Sequence, residues 1–335
     1  MPSVSVIVPA HQTDAAFEAC VSSLLAVSPS PEEIIVADDS GSGACARAAR
    51  RLGVSAVETP GHKGPAAARN LAARASRGDI LLFVDADVRV PPGIAGYLRD
   101  HACWKTDVAA IFGSYDERPG HPGFLSQYKN LVHRYIHQTS REEASTFWGA
   151  CGAVRRDVFE AVGGFDERYD RPSVEDIEFG HRVRRAGHRI RLDRRLEVTH
   201  LKRWTARALL LSDVRDRAVP WTHLVLDRGH VPNDLNLRLA SRVAAATACL
   251  TVAMLLGVVV RPHLWPMVPP LLGLLVALDA PLWRYLLSAR GWTFLARSMA
   301  WHWFYYVYSS LTFGAVALAT WVNDRAVRPE RHQHP

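Results

Sequence analysis

The run Ile80-Leu81-Leu82-Phe83-Val84 is unbroken apolar sequence that ends on two carboxylates, Asp85 and Asp87, spaced i, i+2. Five consecutive apolar residues suit a strand buried on both faces, the place of a central strand in a parallel sheet. Such a strand commits its chain to α/β layers, in which ligands gather beyond the carboxyl ends of the strands. Both acids emerge at that end. Carboxylates there suit a hard divalent cation that keeps some waters and also holds substrate phosphates. They equally suit a solvated turn, and the pair alone does not separate these readings.

The flanking sequence supports the layered reading. The first 90 residues alternate strand and helix signals at α/β spacing. Val4 to Val8 predicts a strand ended by Pro9. Asp14 can cap a helix carrying Phe17, Cys20, Val21, Leu24 and Leu25 on one face. Glu33 to Ala37 predicts a second strand, ending in Asp38-Asp39, and Val54 to Val57 a third. Between them lies a basic helix over 44–52, and Gly61-His62-Lys63-Gly64-Pro65 then leads into an alanine-rich helix over 66–75.

After Val90 the alternation weakens. The pattern predicts a strand over 108–112, a helix over 124–137, and a glycine-bearing strand or loop in close contact with something over 146–154. A helical turn precedes the Gly163-Gly164 break. Ser173 is a candidate N-cap for a helix stopped by Gly187, with Asp176 at the third helical position as in a capping box. Short strands are expected over 188–192 and 196–199.

Charge divides the chain. From Ser241 to the end there are eight Arg, no Lys and three acids, so this segment supplies +5 of the formal +7. The excess flanks apolar runs instead of forming a nucleic-acid surface, and no nucleic-acid partner is expected. Val243 to Val260, Leu264 to Trp283 (except Asp279) and Met299 to Val322 are runs of 18, 20 and 24 residues, long enough to cross a bilayer. The prolines at 266, 269 and 270 make the second the weakest span. Five scattered cysteines without C-x-x-C spacing fit reduced thiols in a cytosolic domain. No signal peptide is expected, because the short apolar start lacks a basic region before it.

Several marks recur in order. They are Val6-Ile7-Val8-Pro9, Ile35-Val36-Ala37-Asp38-Asp39-Ser40, Gly64-Pro65-Ala66-Ala67-Ala68-Arg69-Asn70 and Asp85-Ala86-Asp87. Phe147-Trp148-Gly149-Ala150-Cys151-Gly152-Ala153, Gly163-Gly164-Phe165-Asp166-Glu167, Glu175-Asp176-Ile177-Glu178-Phe179, Arg182 and Gly187 follow. Over residues 3–205 the chain resembles family 2 glycosyltransferases of the GT-A fold. The resemblance implies an α/β nucleotide-diphospho-sugar transferase fold with a mostly parallel central sheet, followed here by C-terminal transmembrane helices.

It also implies roles. Asp38 and Asp39 would meet the base and ribose of a nucleotide sugar, with uridine favoured. Lys63 and Arg69 would face the diphosphate near a helix N-terminus, with Arg69 alternatively pinning the nearby acids. Asp85 would lie near the ribose or the metal's waters. Asp87 and His200 would ligate Mg2+ or Mn2+. Trp148 and Gly149 would line the sugar site, and Pro9, Arg182 and Lys202 fall on the nucleotide-sugar side. Asp176 would be the general base and Glu175 would orient it or touch the acceptor.

A dinucleotide oxidoreductase would need G-x-G-x-x-G after a strand, whereas the first strand here is followed by Pro-Ala-His-Gln-Thr. The histidines lack H-E-x-x-H spacing, which disfavours a zinc hydrolase. The tract Val214 to Trp221 has neither the glutamine nor the adjacent Arg-Trp of a Q-x-x-R-W pattern, which argues against a processive polysaccharide synthase. The expectation is therefore inverting, metal-dependent transfer of one sugar to a lipid or lipid-linked acceptor. A synthase subunit or a non-catalytic scaffold is the alternative. The expected organisation is a catalytic domain over 1–205, an amphipathic interfacial helix and linker over 206–241, two or three transmembrane or re-entrant helices over 242–322, and a polar tail over 323–335. This places a multi-pass protein in the cell membrane, with its catalytic domain cytoplasmic and room for a membrane protein partner.

Overall fold

A computed structural model describes residues 1–228 and 238–327. Residues 229–237 of the expected linker and 328–335 of the expected tail lie outside the described residues. The chain divides between Thr205 and Ala206 into two compact units.

In the first unit, β1 (Val4–Ala10), α1 (Ala15–Leu25), β2 (Glu33–Asp38), α2 (Ala44–Arg51), β3 (Ser55–Glu58), α3 (Pro65–Ala75) and β4 (Ile80–Val84) alternate as expected. β5 (Val88–Arg89), α4 (Ile94–Arg99), β6 (Val108–Tyr115), α5 (Phe124–Thr139) and β7 (Glu143–Ala144) follow. β8 (Cys151–Arg155), α6 (Arg156–Ala161), α7 (Glu175–Arg185) and β9 (Arg189–His200) complete the unit. The strand order is β3-β2-β1-β4-β8-β6-β9-β5, with β7 beside β9. The first four strands in that order are parallel. β8 runs antiparallel between β4 and β6, and β6 and β9 are parallel, so the sheet is mixed.

β4 is buried at all five positions. Leu82 and Val84 enter a core with Phe17 and Leu24 of α1, while Leu81 and Phe83 enter one with Ala68 and Ala72 of α3. The two-residue period of a strand feeds both layers at once. Phe83 meets Phe165 edge-on at 5.0 Å, and Phe165 meets Phe179 of α7 at 4.7 Å. This aromatic cluster ties α7 to the strand that carries Asp85.

Three local expectations change. β1 continues through Pro9 to Ala10, because pairing with β4 has already ended at Ile7. The two short strands expected over 188–199 are one, β9, with a register shift against β6 absorbing the irregularity. The N-cap of α7 is Val174 with no side-chain cap bond, not Ser173. Asp176 turns inward to another partner, so no capping box forms. Asp14 does cap α1, accepting from Phe17 N at 2.9 Å.

The second unit comprises α8 (Ala206–Leu211), a π-helical stretch (Ser212–Ala218), α9 (Val219–Arg228), α10 (Leu239–Val260), α11 (Val268–Leu278) and α12 (Ala280–Val327), which breaks at Gly291 (φ +79°). Of these α10 alone is long and apolar enough to cross a membrane, at mean hydropathy 2.4. The stretch from Pro262 to Leu278 and α12 as far as Asn323 meet at a 68° bend, and together count as at most one more span. Of the two or three spanning or re-entrant helices expected, the described residues give one such helix, or two if the bent pair is a single span. Proline at 266 lies inside a 3-10 turn, which leaves only 11 residues for α11. Large apolar side chains face outward, with Leu256 66% and Val259 81% exposed. Within the segment expected to lie at an interface, Asp213 in the π-helical stretch is buried and accepts from the Tyr308 hydroxyl at 2.8 Å.

Candidate active site

Two strand ends and one helix start gather acids in the first unit. At the end of β2, both Asp38 and Asp39 are buried. Asp38 accepts from Ser40 N and Ala46 N, each at 2.7 Å, and so shapes the turn into α2. Burial opposes its ionisation, but hydrogen bonds from Ser40, Ala46 and Cys45 prevail and keep its carboxyl below the usual range. Asp39 accepts from the Thr59 hydroxyl (2.7 Å), Lys63 N (2.7 Å) and Gly64 N (2.8 Å). The ring of His62, 62% exposed, lies 3.1 Å from the same carboxylate. Asp39 thus anchors the loop that opens α3, and the Lys63 side chain on that loop is exposed. Pro9 is half-buried at the end of the neighbouring β1.

The acids after β4 meet different partners. Arg69 of α3 is 4% exposed, with Nη2 2.7 Å from Asp85 Oδ1 and Nη1 2.8 Å from Glu175 Oε1. Burial disfavours its charge, yet the two carboxylates outweigh that and raise its pKa. Of the two roles the sequence left open for Arg69, these contacts are those of pinning acids. Its neighbour Asn70 bonds Phe165 N and O, both at 2.8 Å, and Glu167 at 2.9 Å, fixing the loop ahead of α7. That bracing role was missed, although Asn70 stood in a quoted mark.

Asp87 lies with Oδ2 3.7 Å from His200 Nε2 and 3.8 Å from Lys202 Nζ. Burial pushes its pKa up, but the facing imidazole and ammonium hold it at about 2. Lys202 also lies 4.6 Å from the centre of the Trp204 ring. Among the described residues no group of three or more His, Cys, Asp or Glu side chains is arranged to hold a metal. Asp87 and His200 supply one carboxylate and one imidazole. Such a pair fits a cation that completes its shell with diphosphate oxygens and water.

Asp176, in the first turn of α7, accepts from Gly149 N at 2.9 Å and from Ile177 N at 2.8 Å. Burial first, and then the adjacent Glu175 charge, raise its pKa to about 7. Gly149 brings the backbone close to this cation: a Cβ there would stand 3.1 Å from Arg69 Nη2. Glu175 is buried, its second oxygen accepting from Ser173 N at 2.8 Å. Trp148 is half-buried beside Gly149. Arg182 is engaged elsewhere: it pairs with Glu178 at 2.8 Å, donates to Val162 O at 2.5 Å and covers the Phe179 ring. Those contacts explain its place in α7 without a nucleotide.

Asp85, Asp176 and Glu175 thus converge on Arg69 and Gly149, while Asp87, His200 and Lys202 form a second group two residues along the chain. A carboxylate with pKa near neutrality can exchange a proton at working pH. One held at about 2 stays anionic and suits cations.

Residues 5–163 match the family described as glycosyl transferase family 2. Two curated relatives, pre-mycofactocin glycosyltransferases from two strains of Mycobacterium tuberculosis, are 29% identical over 220 residues, covering 61% of this chain and 45% of theirs. The match therefore spans less than half the length of those relatives. Among solved structures, a mannosyltransferase from Pyrobaculum calidifontis in complex with GDP-Man and Mn2+ aligns over 95% of this chain and 86% of its own. Its TM-score is 0.56 at 18% identity, a likeness of fold.

Proposed function

Because the chain is a family 2 glycosyltransferase with a GT-A-like α/β sheet, we propose that it transfers a single sugar, with inversion, from a nucleotide-diphospho-sugar to a hydroxyl or phosphate of a lipid or lipid-linked acceptor at a membrane. UDP-sugars are the favoured donors. The observation that carries the reading is the Asp176 carboxylate, fixed by Gly149 N–H and with its pKa at about 7. In this reading an Asp176 oxygen takes the acceptor's O–H proton while the acceptor oxygen bonds to the anomeric carbon. The bond from that carbon to the diphosphate breaks on the opposite face, and the nucleoside diphosphate leaves with the electron pair.

Asp85 and Glu175, held by Arg69, set the walls around that base. Trp148 offers an apolar face to the sugar ring, and Gly149 allows close approach. Asp38 and Asp39 shape the pocket for base and ribose, with His62 the exposed partner that a base could displace. Lys63 and Lys202 offer cations to the diphosphate. Asp87 and His200 are the residues that would hold Mg2+ or Mn2+. A cation bound there supplies positive charge to the departing diphosphate.

The apolar exterior of the second unit supports membrane attachment, since Leu256, Val259 and Leu311 are largely exposed among the described residues. Arg238 and Arg242 before α10, and Arg284, Arg290 and Arg297 beyond α11, suit a cytosolic catalytic unit. The test uses full-length protein in detergent, offered UDP- and GDP-sugars with and without Mg2+ or Mn2+ and with bacterial-type lipid extracts. A metal-dependent product of one added sugar with inverted anomeric configuration is expected. Ladders of many sugars, or retained configuration, overturn single inverting transfer. Release of the full chain from membranes by an alkaline wash overturns the integral attachment.

A further inference from the structure

Behind the Asp87 group stands a residue that no sequence motif singles out. Tyr115 ends β6, is 8% exposed, and pairs in register with Val198 of β9. His200 lies two residues further along β9, on the same face. The Tyr115 and His200 rings stack with centroids 4.4 Å apart and planes 13° from parallel. The tyrosine ring is itself braced. The Trp148 indole meets it edge-on at 4.8 Å and the His133 ring packs on it at 4.9 Å. His133 and His137, one turn apart on α5, contact each other at 4.2 Å, and His137 Nδ1 lies 3.0 Å from Gly113 O in β6.

We infer that Tyr115 is a positioning residue: its ring sets the plane of the His200 imidazole and ties that imidazole to Trp148. Stacking at 13° leaves the imidazole free to slide but not to turn about its last bond without losing the overlap. In that plane its Nε2 lies 3.7 Å from Asp87 Oδ2. Any cation or diphosphate oxygen that reaches Asp87 meets an imidazole whose plane is already set, so part of the ordering cost is met during folding and not on binding.

The inference rests on the proposed roles of Asp87 and His200, and its test separates the two. Calorimetric titration of the full-length protein in detergent uses UDP and GDP as probes, each with and without Mn2+. Tyr115→Leu and Tyr115→Met keep bulk without an aromatic plane, and Tyr115→Phe keeps the plane without the hydroxyl. Tyr115→Leu and Tyr115→Met are expected to weaken Mn2+-dependent nucleotide binding about five- to tenfold, the scale of one lost aromatic stack. Metal-free binding should stay unchanged, and Tyr115→Phe should remain within about twofold of wild type, since the aromatic plane survives. In a His200→Gln background, either substitution should add nothing, as a double-mutant cycle requires for residues acting through one another. Undiminished Mn2+-dependent binding in the folded Leu or Met variant overturns the inference, as does an equal loss in Tyr115→Phe or a full effect that persists without His200. Wild-type protein whose nucleotide binding ignores Mn2+ instead removes the metal reading beneath it.

Discussion

The acids at the end of β2 and those around α7 are equally near the sheet's ligand edge, yet they are bound in different ways. Asp38 and Asp39 take most of their hydrogen bonds from backbone N–H groups of Ser40, Ala46, Lys63 and Gly64. Those donors cannot leave without unfolding a turn. Asp85 and Asp87 instead face the side chains of Arg69, His200 and Lys202, and Asp176 is the exception among these, accepting from the backbone N–H groups of Gly149 and Ile177 although it lies beside them. Side-chain partners can be exchanged for a ligand. An acid whose donors are fixed backbone groups shapes a pocket, whereas an acid facing movable cations is available to one.

The largest test of that contrast is Asp176→Asn. Loss of a general base predicts a fall in kcat of about 10²–10⁴ with little change in nucleotide affinity. The amide can still accept from Gly149 N, so the fold should stand. Measuring kcat and nucleotide affinity separately decides the role: a variant weak only in nucleotide binding would move Asp176 to the donor side.

Arg69→Met comes next. It leaves two carboxylates without their shared cation, and breaking a buried ion pair by removing one partner costs about 3–5 kcal/mol. Chemical denaturation should show the loss even without substrate. If stability is kept while donor affinity collapses, Arg69 serves the diphosphate instead of the acids.

Much of this site was legible from the sequence, and its limits have a physical pattern. Strand ends were readable because burial on two faces writes itself as a contiguous apolar run, as in Ile80 to Val84, and because polar residues resume where the strand leaves the core. Close approach was readable at Gly152, where a Cβ would stand 2.4 Å from the Trp148 carbonyl oxygen, and the tighter packing at Gly149 followed the same signal. What was not readable depends on distant partners. Arg69 reaches Asp85 16 residues away and Glu175 106 away, and no local pattern encodes that choice. Asp176 was read as part of a capping box because its local spacing allowed one, but the Gly149 amide competes from 27 residues off. In the second unit, hydropathy reported composition faithfully and continuity poorly. The prolines at 266, 269 and 270 marked the run after Val260 as the weakest span, but nothing in the sequence showed its 68° bend against the following helix.

Asp39→Asn probes the other side of the contrast. Replacing a buried charged acceptor by an amide weakens bonds to Thr59, Lys63 and Gly64, and one charge-assisted hydrogen bond is worth about 1.5–3 kcal/mol. A fall in thermal midpoint is expected with kcat nearly unchanged. An unaltered midpoint with lost donor affinity would show that Asp39 acts on the ligand, and the contrast drawn from its donors would break.

The pH dependence separates Asp176 from Asp87. A base must be ionised, so with a pKa of about 7 the kcat/KM should fall about tenfold for each pH unit below that value. Stability carries the opposite sign: a carboxyl raised above its unfolded value favours the fold at low pH, and that contribution is lost as pH rises through about 7. For Asp87, depressed to about 2, the contribution is present above the unfolded value and lost only as pH falls through about 2. A flat kcat/KM profile between pH 5 and pH 8 would remove Asp176 from proton transfer.

The smallest effect is expected at Arg182, and it bears on how far the site extends along α7. Its guanidinium pairs with Glu178 one turn earlier and donates to Val162 O, contacts that join α7 to the end of α6. A helical i, i+4 ion pair is worth about 0.3–0.5 kcal/mol, so Arg182→Gln should lower the thermal midpoint only slightly. The KM for donor should stay within about twofold, since less than 0.5 kcal/mol corresponds to that ratio. A tenfold rise in donor KM at unchanged stability would return Arg182 to the nucleotide-sugar side. It would also mean that a side chain tied to Glu178 swings away when ligand arrives, which would extend the rule of movable partners from the start of α7 to its middle.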